Sequence, residues 1–134
     1  MTMNKFNING QEVAVFIPKI STDKRIDFFT NASDQLQIAA FSMNRGEAIQ
    51  PHMHLEQKRE LLETHEIIFV QEGILIVDLY SDLKRNKIFK SIEMHQGDLI
   101  YLKAGIHGFT IGEDCKFIEV KQGPFVDGKD KIKL

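Results

Sequence analysis

The sequence predicts an all-β protein, a sandwich or barrel of eight or more short strands. Three observations predict it. Apolar segments of about four to eight residues, rich in Ile, Val, Phe and Leu, recur along the 134-residue chain, and that length and composition suit strands rather than helices. Turn marks separate them: Asn9-Gly10, Asn44-Arg45-Gly46, Glu72-Gly73, Gln96-Gly97-Asp98, Ala104-Gly105, Ile111-Gly112 and Gln122-Gly123-Pro124. Only Leu55 to Thr64 is helix-like, and its charge suits a solvated loop or one helical turn equally well.

Each element follows from these marks. Asn9-Gly10, between KFNI and EVAVF, is the pair that a two-residue type I′ hairpin favours. After it come LQIAAFSM, EIIFV, ILIVDLY, NKIFKSIEM, DLIYL, GFTI and KFIEV. DLKRNK is expected at a hairpin tip, and Lys129, Lys131 and Lys133 in a solvated tail. So many short strands bury their apolar faces by forming a sandwich or closing into a barrel. No repeat or linker-like tract divides the chain, so residues 1–134 are expected to form a single domain.

Composition narrows the class of function. Hydrophobic content of 43% and charged content of 27% are those of a globular protein, not a disordered one. A chain of this length buries roughly two-thirds of its unfolded surface. A formal charge of -2 gives no general attraction to nucleic acid or anionic membrane. The first residues, MTMNKFNING, lack the apolar core of a signal peptide, and no later run is long enough to span a bilayer. The single cysteine, Cys115, cannot form an internal disulfide, and Glu113-Asp114 before it do not favour a thiolate. A cytoplasmic protein with no nucleic-acid or membrane partner is the expectation.

The histidines carry the chemistry. His52 and His54, one residue apart, project from the same face if they lie on a strand. In HEIIFVQEG, Glu66, Ile68 and Val70 share one face and His65 takes the other; in GIHGFTI, His107 shares a face with Phe109 and Ile111. Three neutral imidazoles and one carboxylate are a donor set for a divalent first-row metal with positions left open. His65 and His95 are not expected to be ligands, His95 lying in the polar turn EMHQGD. Phe41, Met43, Tyr80 and Phe109 are candidates to line a pocket, although aromatic residues and Met at strand spacing are ordinary core residues too.

The same residues resemble the cupin family. Gly46, five residues, His52-Met53-His54, then Glu66, six residues and Gly73 look like the first cupin motif. Gly97, five residues, then Lys103-Ala104-Gly105-Ile106-His107 resemble the second, and the likeness covers about residues 36 to 120. It implies a double-stranded β-helix (jelly-roll) barrel in which His52, His54, Glu66 and His107 hold one divalent metal: iron, manganese, nickel or zinc. Eleven residues separate His54 from Glu66 where the family has three or four, which keeps Glu56 open as a rival ligand. Lys103 stands where the family has proline, and Ile111 where it often has asparagine.

FIEVKQGPFVDGKDKIKL resembles the tail of small cupins encoded among bacterial surface-polysaccharide genes. That likeness implies a sugar or sugar nucleotide as ligand. No Ser/His/Asp signature, phosphate-cradling loop or dinucleotide fingerprint competes with this reading. The favoured function is a metal-dependent isomerase, epimerase or lyase. A dioxygenase and a non-catalytic, carbohydrate-binding or regulatory cupin are the alternatives. Tyr80, Glu119 and Lys121 are the polar candidates if catalysis needs a further group. A homodimer is expected from pairing through an exposed edge such as VAVFIP.

Overall fold

In a computed structural model of the chain, residues 2–82, 84 and 87–134 are described. Among them are eight strands and no helix, so no helix is long and apolar enough to cross a membrane. The expected DLKRNK tip lies partly outside the described residues, at Leu83, Arg85 and Asn86. The chain divides into two compact units, one made of Met1–Ile20 with Glu63–Leu134, the other of Ser21–Leu62.

The first unit is an antiparallel sheet of six strands. They are β1 (Asn4–Ile8), β2 (Gln11–Ile17), β5 (Glu66–Tyr80), β6 (Ile88–Met94), β7 (Leu99–Leu102) and β8 (Ile106–Lys121). Their order is β1-β2-β7-β5-β6, with β8 along the other side of β5. Asn9 and Gly10 both take positive φ, 53° and 78°, as the type I′ hairpin requires. VAVFI is not the exposed edge that the sequence suggested. It lies in β2, buried between β1 and β7.

β5 and β8 are each longer than the segments read from the sequence. EIIFV and ILIVDLY merge into β5, and GFTI and KFIEV into β8. The first half of β5 pairs with β7 and the second half with β6. Between them Val70 exchanges backbone hydrogen bonds with the β6–β7 turn, donating to Asp98 O (3.0 Å) and accepting from Gly97 N–H (2.9 Å). At that point the β5–β8 register shifts repeatedly, from Val70 to Leu75. Such bulges bend and twist a strand. Gly73 sits at the bend with φ of 82°, where a β-carbon would collide with the carbonyl oxygen of Asp114 and approach Cys115 Cα to 2.7 Å.

The bulge reverses which β5 residues face the core. Ile68 and Val70 are buried before it; Leu75, Val77 and Leu79 are buried after it. They join Val13, Ala14, Ile92, Met94, Ile100 and Leu102 in one apolar cluster. Residues directly opposite each other in a sheet share a face. Through its register with these β5 residues, β8 therefore presents His107, Phe109, Ile111, Phe117 and Glu119 on the core face.

The second unit, Ser21–Leu62, contains a two-stranded sheet of β3 (Ile26–Phe28) and β4 (Ala39–Phe41). Glu47 ties its later loop, meeting Arg25 at 3.0 Å and accepting the Asn44 N–H at 2.6 Å. Leu55 to Thr64 forms no regular element.

Candidate functional site

Glu66 opens β5 and pairs in register with Lys121, near the end of β8. His107 lies near the start of β8, opposite Leu79. A straight ribbon would hold them a strand's length apart. The bend at Gly73 curls the ribbon instead, and His107 Nε2 comes to 3.7 Å from Glu66 Oε1. The rings of Phe109 and Phe117 on β8 lie 6.2 Å apart across the same curl.

The weaker sequence candidates gather at this point. Glu66 and Glu119 share a side-chain hydrogen bond. Burial, then the hydrogen bond to Glu119 and its charge, push the Glu66 pKa up to about 7; Lys121 opposes the rise and Asp130 adds to it. Burial also lowers the His107 pKa, helped by the charge of Lys131 and opposed by Glu119. A neutral imidazole keeps a lone pair free to meet a cation or accept a proton. Lys121 donates to Asp130 Oδ2 at 2.9 Å, and this bond, with the surrounding carboxylates, holds its pKa above the usual lysine value. Tyr80 joins His107 and Phe109 in lining a nearby cleft.

The other two expected ligands belong to the second unit. His52 and His54 lie in an irregular segment, not on the strand that the alternation argument assumed. Their rings still meet edge to face, with centroids 5.3 Å apart. His52 Nδ1 is 2.8 Å from the carbonyl oxygen of Gln50, a bond that leaves Nε2 free. Both rings and Glu56 are exposed. Among the described residues, no three His, Cys, Asp or Glu side chains are grouped as a metal site. The expected ligands thus come as two pairs, one in each unit. Imidazoles and a carboxylate are nonetheless donors suited to a divalent first-row metal.

His65 has a role that the sequence did not reveal. It is buried, its Nδ1 lies 2.6 Å from the Tyr101 hydroxyl, and its backbone N–H donates to Gln122 Oε1 at 2.8 Å. Its Nε2 is 3.5 Å from Glu63. Tyr101 is completely buried in DLIYL, and a phenol buried in an apolar run requires a partner. That was the available signal. Lys103, at the position of the family's proline, is buried in an ion pair with Glu12. His95 is half exposed beside Glu93, as its polar turn suggested. Burial and the charge of Glu72 raise the Cys115 pKa, so its thiol is not activated.

Comparison with family models, curated proteins and solved structures gives no match. The functional reading therefore rests on this geometry and on the sequence motifs.

Proposed function

We propose that the chain is a metal-binding cupin, a jelly-roll barrel that isomerises, epimerises or eliminates on a sugar or sugar nucleotide during bacterial surface-polysaccharide synthesis. The observation that carries this reading is the meeting of Glu66 and His107 on the concave face, where Glu119 and Lys121 join them. His52, His54, Glu66 and His107 are the residues to hold the metal, which when bound supplies a Lewis acid that polarises a substrate oxygen. Glu119, hydrogen-bonded to Glu66, is the further polar group beside the proposed ligands. Lys121 balances the charge of the carboxylates, and Tyr80 offers a phenol at the cleft. A homodimer forms through an edge other than β2; β8, whose only partner strand among the described residues is β5, offers the longest one.

The test begins with metal analysis of protein purified without added metal. The metal-loaded protein is then incubated with a panel of nucleotide-linked sugars, and products are followed by mass and by NMR, since isomers share a mass. Turnover that is lost on chelation and regained on reloading supports the enzyme. Ligands that raise the melting temperature and return unchanged assign it to the binding alternative. Oxygen consumption with ferrous iron assigns it to the dioxygenases.

A further inference from the structure

We infer that the cleft between the C-terminal segment and the start of β8 binds the phosphate-bearing part of a ligand. Tyr80, His107, Phe109, Lys131 and Lys133 line this cleft, which encloses about 520 Å³, within the usual size range for small-molecule sites. No Asp or Glu side chain contributes to its lining. Lys103, Lys116 and Lys121 are each spent on a carboxylate elsewhere. Lys131 and Lys133 have no carboxylate within 4.0 Å among the described residues. Two unpaired ammonium groups at one cleft repel each other, and a multivalent anion relieves that repulsion.

The segment is held in place by its own contacts. Asp130 accepts from Lys121, and both side chains are largely buried, which fixes the chain one residue before Lys131. The Lys121 ammonium also lies 5.9 Å from the Phe125 ring centre. Lys131 is thereby kept on the same cleft as His107. Phe109 and Tyr80 add aromatic surface for a ring next to the anion. The inference deepens the sugar-nucleotide reading and rests on it for the remainder of the ligand, though not for the anion.

Inorganic pyrophosphate is the probe, titrated calorimetrically into the full chain, stripped of divalent metal, at low ionic strength. Malonate serves as the dicarboxylate counterpart. K131Q/K133Q is expected to bind pyrophosphate at least about tenfold more weakly than the parent, and K129Q to bind it equally well. Circular dichroism checks that the exposed substitutions leave the fold unchanged. Absence of binding to the parent, an unchanged affinity in the double variant, or an equal loss in K129Q overturns the site. Malonate bound as tightly as pyrophosphate overturns its preference for phosphate. A chain that holds metal and turns over a sugar nucleotide but ignores pyrophosphate leaves the functional reading standing without this cleft. One that binds pyrophosphate and no metal does the reverse.

Discussion

Glu66 and His107 stand at opposite ends of the β5–β8 ribbon and yet lie 3.7 Å apart. Their protonation is linked to folding with opposite signs. Glu66 has its pKa raised from 4.5 to about 7, so between these values the folded chain holds a proton that the unfolded chain has lost. Its contribution makes stability fall as pH rises through that window. His107 is lowered from 6.5, so below that pH the unfolded chain binds more protons, and its contribution makes stability rise with pH. Glu66→Gln removes only the first effect. Urea midpoints of the metal-free protein at pH 5, 6, 7 and 8 are expected to show the variant gaining on the parent as pH rises. A constant difference across the series would contradict the raised pKa.

Gly73→Ala is expected to be among the most damaging single substitutions. The new methyl group meets the Asp114 carbonyl, and the residue is held at a positive φ. A loss of about 3 kcal/mol or more follows from collision and backbone strain together. Gly10→Ala, also at positive φ but with open space around it, is expected to cost about 1 kcal/mol. Equal losses in thermal melts would remove the close approach from the explanation.

His65→Ala separates structural histidine from ligand histidine. It strips the buried Tyr101 hydroxyl of its contact with the imidazole and is expected to cost about 2 kcal/mol. Metal content is expected to stay unchanged. Restored stability in His65→Ala/Tyr101→Phe, relative to His65→Ala, would show that the hydroxyl is the cause.

Metal content after expression in defined medium tests the four proposed ligands individually. His52→Ala, His54→Ala, Glu66→Ala and His107→Ala are each expected to lower occupancy roughly tenfold or more, whereas Glu56→Ala retains it. Loss with Glu56→Ala but not with Glu66→Ala would transfer the carboxylate role to Glu56.

The strands were legible as segments but not as strands of the right length. Glu72-Gly73 and Ile111-Gly112 carry turn residues, so local composition reads each as the end of a strand. In fact they lie across from each other in the β5–β8 bulge. The faces of Glu66 and His107 followed from alternation, because each lies on the regular part of its strand. The approach of His107 to Glu66 did not, since it depends on curvature, which no local pattern encodes. The spacing of His52 and His54 suits a strand, but spacing does not distinguish a strand from the irregular segment in which they lie.

The bulge at Gly73 also has a consequence for insertions and deletions. From the Val70–Phe117 pair to the Leu75–Ile111 pair β5 advances five residues and β8 six, so a regular ladder with Ile68, Val70, Leu75, Val77 and Leu79 all on one side would take one residue fewer in β5 and two fewer in β8. Such a shortened chain keeps its hydrophobic pattern and can fold, yet the ends of the ribbon no longer meet. Drift at this spot can therefore separate foldability from chemistry, yielding descendants with an intact sheet and no site.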